Sequence, residues 1–347
     1  MSFASSCMAG KLRDRYARDI AYLRISVTDR CDLRCHYCMG EEPRFLPRAE
    51  VLTLEELARI GAAFIAAGVR KIRLTGGEPL IRRDILWLIR NLGQHLDPDA
   101  ADASGRLREL AITTNGTQLP RLATAIRAAG VRRVNISLDT RDPEKFRAIT
   151  RGGRLEATLE GIEAAVAAGL QVKINTVALK GGNEDEFDAL IAWCGERGFD
   201  LTFIEVMPMG EVGGVARLDQ YLPLETVRED LARRWHLTAS DESTGGPSRY
   251  WRVRETGGRI GFIAPLTRSF CDRCNRVRLS STGQLFLCLG QEDAVDLRHL
   301  LRSGADDATL AATLVAAIGD KPEGHAFILD QTRAVPAVGR GMHRTGG

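Results

Sequence analysis

Six of the eight cysteines fall into two groups of three: Cys31, Cys35 and Cys38 near the start, and Cys271, Cys274 and Cys288 far downstream. In a long chain, cysteines at CxxC-type spacing read as metal ligands or redox groups rather than a disulfide framework. Each group is one ligand short of the four that normally enclose a structural zinc ion. Three thiolates can instead hold a cubane iron–sulfur cluster whose remaining iron is left to a small molecule. Two open irons in one chain point to a reaction chamber rather than to structural staples. A zinc site completed by His36 is the competing reading of the first group. Tyr37 lies between Cys35 and Cys38, where its ring can pack over whatever approaches the metal. Cys7 and Cys194 stand outside both groups, and Cys194, in an amphipathic stretch, is expected in the core.

A strand-then-helix alternation must position these groups. Segments 23–28, 71–75, 110–114, 133–139, 172–179 and 201–207 predict strands. The Ala-, Leu- and Glu-rich stretches 53–67, 83–92, 119–129, 155–168 and 184–197 predict helices. Gly68, Gly130, Gly169 and Gly198 follow four of them as C-terminal caps. Alternating units with short connections predict parallel strands covered by helices. The expected fold is α/β, an incomplete (β/α)6 TIM-like barrel, with a doubly wound open sheet as the alternative. One strand face is apolar, with Leu23, Ile25, Ile72, Leu74, Ile204 and Val206; the other carries Arg24, Arg73, Thr113, Ser137, Lys173, Glu205 and Met207. A doubly wound sheet is apolar on both faces, and a closed eight-stranded barrel fills its middle with branched aliphatics. The polar face therefore predicts a lumen that admits substrate. Arg24, Arg73 and Lys173 cannot be buried alone, so they are expected to meet Glu205, Asp139 or an anionic ligand.

The pattern changes after Pro208, which divides the chain into a barrel over 1–208 and a C-terminal α+β extension over 209–347. Segment 209–216 reads as loop, 224–235 as helix, and 249–253 and 259–263 as strands. A hairpin of 276–279 and 284–287 would return Cys288 to Cys271 and Cys274, giving the extension the second iron–sulfur site. Arg276 and Arg278 alternate on that hairpin and can point together at a phosphate, which suits the guanidinium fork. Lys and Arg number 48 against 45 Asp and Glu, and aromatic residues make up 6% of the chain. That composition argues against nucleic-acid binding and base stacking. No apolar run reaches the ~18 residues of a membrane span. Residues 1–10 lack the apolar stretch of a secretory signal, so no membrane association and a cytoplasmic location are expected.

The set Cys31, Cys35, Tyr37 and Cys38 resembles the signature of the radical S-adenosylmethionine (SAM) superfamily. Gly76-Gly77-Glu78-Pro79, at the end of the second strand, resembles that superfamily's glycine motif. The run 270–278 (Phe-Cys-Asp-Arg-Cys-Asn-Arg-Val-Arg), with Cys288 and the terminal Gly346-Gly347, resembles the GTP 3′,8-cyclase family of molybdenum-cofactor biosynthesis. Segments 23–29, 72–79, 113–116, 135–139, 172–177 and 203–207 share the likeness, which spans nearly the whole chain.

The resemblance implies two 4Fe–4S clusters, one on Cys31, Cys35 and Cys38 and one on Cys271, Cys274 and Cys288. It implies SAM contacts at Tyr37, Gly77, Ser137 and Met207, and GTP contacts at Arg24, Arg73, Thr113, Lys173, Arg276, Val277 and Arg278. In such enzymes SAM chelates the open iron of the first cluster, and guanine meets that of the second. An adenosyl radical takes the ribose C3′ hydrogen, and C3′ then bonds to C8. The product would pass to a cyclic pyranopterin monophosphate synthase, with electrons from a flavodoxin- or ferredoxin-type donor, and the family is compatible with a homodimer. Its Gly-Gly end is expected to reach into the cavity. Two positions depart from the family pattern: Gly40 stands where proline is frequent, and Thr345 where isoleucine is common. A peptide-maturing radical SAM enzyme is the rival reading, but such enzymes usually carry a longer cysteine series.

Overall fold

The computed structural model describes residues 11–40, 42–100, 105–210, 219–327 and 338–346, so Cys7, segment 211–218 and Gly347 lie outside it. The barrel runs β1 (Tyr22–Ser26), α1 (Leu54–Ala66), β2 (Lys71–Thr75), α2 (Ile85–Gly93), β3 (Glu109–Thr114), α3 (Leu119–Ala128), β4 (Arg133–Ser137), α4 (Pro143–Thr150), α5 (Leu155–Ala167), β5 (Gln171–Ala178), α6 (Phe187–Glu196) and β6 (Asp200–Glu205). The strands β1 to β6 are parallel and lie side by side in chain order. A doubly wound sheet reverses its order at a switch point, so that alternative is excluded.

The extension supplies α7 (Leu224–Leu231), β7 (Leu237–Ser240), β8 (Arg249–Val253), β9 (Arg259–Ile263), β10 (Arg276–Leu279), β11 (Gln284–Phe286), β12 (Ala294–Asp296), α8 (Leu297–Arg302), α9 (Asp307–Gly319) and α10 (Met342–Thr345). Its strands continue both flanks of the barrel: β9 pairs in parallel with β6, and β10 in parallel with β1. One open 12-stranded sheet results, ordered β12-β11-β10-β1 through β6 and on to β9-β8-β7.

Local chemistry explains the element ends. Thr53 and Glu56 close a capping box at α1, with Glu56 N to Thr53 Oγ1 at 3.1 Å and Thr53 N to Glu56 Oε2 at 2.7 Å. Gly68 and Gly130 end α1 and α3 at φ of 97° and 91°, conformations that glycine adopts without steric penalty. The helix α4 escapes the sequence reading, although Asp142 caps it by accepting from Glu144 N (2.8 Å) and Lys145 N (2.9 Å). Leu23, Ile25, Ile72, Leu74, Ile136 and Ile174 form the apolar strand face and pack with Leu57, Phe64 and Leu88 of the helices.

Register fixes the inner face row by row. Arg278, Arg24 and Arg73 stand opposite one another on β10, β1 and β2, as do Thr113, Asn135 and Lys173 on β3, β4 and β5. On β6 the structure corrects the sequence reading. Asn175 pairs with Thr202 and Val177 with Ile204, so Thr202 and Ile204 face inward while Leu201, Phe203 and Glu205 face the helices. Phe203 packs on Phe187 of α6 with ring centres 4.6 Å apart. Both faces of β6 carry apolar side chains, so alternation alone gives no phase. Glu205 accordingly leaves the lumen and accepts from Leu224 N at 3.3 Å and Leu266 N at 3.0 Å.

Candidate active site

Cys31, Cys35 and Cys38 lie on the loop leaving β1, at the strand ends where such barrels carry chemistry. Tyr37 Oη donates to Asp139 Oδ2 (2.7 Å) just past β4, and Asp139 Oδ1 accepts from Val177 N (2.8 Å) on β5. Asn115, just past β3, donates through Nδ2 to Asp32 Oδ1 at 2.6 Å. Arg34 N to Thr150 O and His36 N to Ile149 O, both 3.0 Å, hang the loop on the end of α4. Glu78 accepts from Asn115 N (2.6 Å), Thr114 Oγ1 (2.8 Å) and Leu80 N (2.9 Å), yet burial lifts its carboxyl to about 7.

The glycines beside Glu78 serve close backbone approach. Gly77 N donates to Thr28 O at 2.8 Å, and a Cβ on Gly77 would collide with the Arg30 carbonyl oxygen. Gly77→Ala is therefore expected to push the 76–79 turn off the cysteine loop, at an overpacking cost of about 1–3 kcal/mol. Iron content of the purified variant should fall while its circular dichroism stays native; wild-type iron content would show that the loop absorbs the methyl group.

Burial raises the Cys31 and Cys35 thiols, helped by Glu78 and Asp32 at Cys31 and by Asp139 at Cys35. Bare thiolates are unfavourable here, whereas a coordinating cation would deprotonate them outright. The three thiols act electrostatically on one another. Among the described residues no group of three Cys, His, Asp or Glu side chains stands ready to hold a metal ion. His36 turns its ring edge-on to Tyr37, with centres 5.8 Å apart. Three thiols on one anchored loop, with the nearby carboxylates committed to their own donors, form a donor set that suits an iron–sulfur cluster.

The second triad belongs to the opposite end of the strands. Arg276 of β10 pairs with Tyr22 at the start of β1, so Cys274 precedes the strand whereas Cys31 follows β1. Cys288 returns as expected, after β11: its Sγ lies 3.9 Å from Gly324 O, and Cys271 Sγ lies 3.6 Å from where a Cβ on Gly324 would stand. The surroundings are cationic. Burial opposes ionisation of Cys274, but Lys321, Arg276 and Arg18 outweigh it and lower the thiol. Lys321 is 1% exposed and donates to Leu287 O, and Arg18 donates to Cys271 O at 2.6 Å. Sequence reasoning missed both, because each reaches the triad from a distant segment without any local motif.

Between the triads lie Arg24, Arg73, Arg276, Arg278 and Lys173. Arg73 Nη1 donates to Thr113 Oγ1 at 3.3 Å, and Lys173 Nζ to Tyr250 Oη at 2.5 Å. None of the five forms an ion pair with a described carboxylate, and the Nε atoms of Arg24, Arg73 and Arg276 have no hydrogen-bond partner among the described residues. Asn135 Oδ1, Asn175 Oδ1 and Thr202 Oγ1 are unsatisfied in the same way. Burial lowers Arg24 to about 10 and Lys173 to about 7. Neighbouring charges on this face are matched: Lys71 bridges Glu109 at 2.7 Å and Arg259 bridges Asp200 at 2.6 Å. The expected pairing with Glu205 or Asp139 is thereby corrected. Glu205 faces the helices, and Asp139 is taken by Tyr37 and Val177. An anionic ligand remains as the partner that buried cations require.

The other expected positions separate. Val277 turns its side chain into the core beside Leu23. Ser137 ends β4 opposite Asn175. Tyr37 packs against the cluster of Ile149, Leu179 and Val206, whereas Met207 packs with Met209 and Val338 near the tail. The tail itself enters the polar face: Arg278 Nη1 donates to Gly346 O at 2.5 Å, and a Cβ on Gly346 would collide with Thr75. Cys194 is 2% exposed in the core, as its amphipathic setting predicts.

An open parallel barrel with a three-thiol loop after its first strand defines the class: residues 25–194 match the radical SAM superfamily, and residues 199–327 match Molybdenum Cofactor Synthesis C. Streptococcus suis SuiB bound to S-adenosylmethionine shares the fold, with a TM-score of 0.58 at 16% identity over 93% of this chain and 76% of that one. Proteins called GTP 3′,8-cyclase are far more similar. The one from Rhodopseudomonas palustris (strain TIE-1) is 57% identical over 97% of this chain and 96% of its own length. That of Bradyrhizobium diazoefficiens is 56% identical over 99% and 97%, and that of Paracoccus denitrificans 56% over 97% and 96%. The chain belongs to the GTP 3′,8-cyclase family.

Proposed function

We propose that the chain uses SAM and an iron–sulfur cluster to convert GTP to (8S)-3′,8-cyclo-7,8-dihydroguanosine 5′-triphosphate, the first step of molybdenum-cofactor biosynthesis. The observation that carries this reading is the row Arg278, Arg24 and Arg73, in register across three strands without a carboxylate partner among the described residues. A triphosphate supplies both the charge and the paired oxygens that guanidinium groups bind best.

Cys31, Cys35 and Cys38 would hold the cluster that meets SAM, with Tyr37, Gly77, Ser137 and Met207 as SAM contacts. Cys271, Cys274 and Cys288 would hold a second 4Fe–4S cluster at the far end of the arginine row. When bound, the first cluster and SAM supply hydrogen-atom removal at the ribose C3′, which permits the C3′–C8 bond. The chain's own part is to bind, align and exclude water. Arg24, Arg73, Arg276, Arg278 and Lys173 anchor the triphosphate, Thr113 orients Arg73, and Val277 offers its backbone. Lys173, left near 7 by burial, gains its proton as the anion arrives. Gly346, against Thr75 and Arg278, narrows the mouth and keeps stray hydrogen donors out.

The division at residue 208 belongs to this reading, with 209–347 as the auxiliary-cluster and GTP-binding region. So do a flavodoxin- or ferredoxin-type electron donor, delivery of product to a cyclic pyranopterin monophosphate synthase, a homodimer and a cytoplasmic location. Among the described residues no helix is long and apolar enough to cross a membrane. Anaerobic incubation with GTP, SAM and a strong reductant tests the function. The expected product is isomeric with GTP, and its sugar and base stay joined after glycosidic cleavage. SAM cleavage with GTP left unchanged would overturn the reading.

A further inference from the structure

Tyr22 was not singled out from the sequence, although alternation puts it on the same strand face as Arg24. It is 3% exposed and stands in register with Arg276 on one side and Lys71 on the other. Lys71 Nζ lies 5.0 Å from its ring centre, and the guanidinium carbons of Arg73 and Arg276 each lie 5.9 Å away. Arg24 acts on it from the same strand, and Arg278 from β10. Among the described residues, the charged groups that reach Tyr22 from β1, β2 and β10 are thus cations, while the Cys274 thiol lies just before β10, next to Asn275, whose carbonyl accepts from Tyr22 N at 3.1 Å. The nearby carboxylates are committed elsewhere: Glu109 to Lys71 and Arg133, Asp200 to Arg259, Asp139 to Tyr37, and Glu205 outside the lumen. Burial opposes ionisation of the phenol, but Arg73, Arg24, Lys71 and Arg276 outweigh it and bring the hydroxyl down to about 7.

We propose that Tyr22 is the counter-anion of the nucleotide site: its phenolate balances the arginines while the site is free, and it takes up a proton when a nucleoside triphosphate enters. The step is a protonation from solvent, and no bond to the nucleotide forms or breaks. The phosphates bring more negative charge than the phenolate supplies, and like charges in one low-dielectric space cannot all persist. Tyr22 is in this sense a positioning residue, holding the guanidinium groups in place for the incoming anion. The proposal rests on the GTP reading given above.

Calorimetric titration of the cluster-loaded protein with GTP, without SAM so that no turnover occurs, tests it. Two buffers of different ionisation heat at about pH 8 give the protons taken up per GTP. Wild type is expected to take up about one proton more than Tyr22→Phe, because the phenol titrates below that pH only in the free site. GTP affinity should also fall with rising pH in wild type, by up to about tenfold per unit, and less steeply in the variant. Equal proton uptake by the two proteins overturns the proposal and leaves the uptake to Lys173 and the phosphate itself. Should Tyr22→Phe fail to load its clusters, a fluorinated tyrosine with a more acidic phenol replaces it. The uptake should then set in at lower pH, and an unmoved onset overturns the proposal. Failure of wild type to bind GTP removes the reading of the site itself, and this inference with it.

Discussion

A Cys35→Ser protein is expected to fold and bind GTP, yet to release no 5′-deoxyadenosine from SAM under strong reductant. Burial, Asp139 and the two sister thiols all raise Cys35, so this sulfur depends on a bound cation for its charge. A serine hydroxyl is far harder to ionise and leaves two thiolates where three are needed. The loop does not rely on the sulfur for its shape. Cys38 N donates to Cys35 O at 2.9 Å, Arg34 and His36 hang on α4, and Tyr37 is tied to Asp139. Loss of SAM cleavage should therefore come without loss of thermal stability in the metal-free protein. If both triads carry clusters, iron and sulfide fall to about half, because the second triad stands on a different part of the fold. Undiminished 5′-deoxyadenosine would remove the first triad from SAM chemistry.

The barrel was legible because helix-facing and lumen-facing residues differ so sharply on β1 to β5. Leu23 and Ile25 alternate with Arg24 and Ser26, and no other arrangement hides the first pair while giving the second a polar space. On β6 that contrast fails. Thr202 and Ile204 line the lumen while Leu201, Phe203 and Glu205 do not, and a strand with apolar residues on both faces carries no phase. The buried Glu205 compounds the ambiguity, since its partners Leu224 and Leu266 lie in the extension. The flanking pairings were hidden for a related reason. β10 joins β1 across more than half the chain, and such non-local pairing leaves no local mark on either segment. The cluster ligands were legible from cysteine spacing, whereas Tyr22, Lys321 and Arg18 acquire meaning only once distant cations and thiols share one space. Tyr22 was within reach of the alternation argument. It escaped because an aromatic residue beside a strand end ordinarily belongs to the core.

Replacing Arg278 with alanine is expected to weaken GTP binding by about 10- to 100-fold, the equivalent of one charge-assisted phosphate contact worth roughly 1.5–3 kcal/mol. SAM affinity should stay unchanged, since Tyr37 lies on the cysteine loop that leaves β1 and Gly77 on the turn after β2, whereas Arg278 stands on β10 opposite Arg24 in mid-strand. The same change should leave the free protein as stable as wild type, or more so. Burial pushes Arg278 well below its ordinary range, and Arg24 and Arg276 push it further, so its removal relieves a cost that Tyr22 and Cys274 offset only in part and a bound anion would offset further. Arg278 also donates to Gly346 O at 2.5 Å, and losing that bond frees the tail and admits water to the mouth. The two effects separate by measurement. Lost phosphate binding raises the GTP dissociation constant in the absence of SAM, whereas a loosened tail increases SAM cleavage uncoupled from product. The combination of weaker GTP binding and an undiminished melting temperature distinguishes a ligand-directed cation from a structural one. An unchanged GTP affinity would take Arg278 out of the site and leave its burial without a reason.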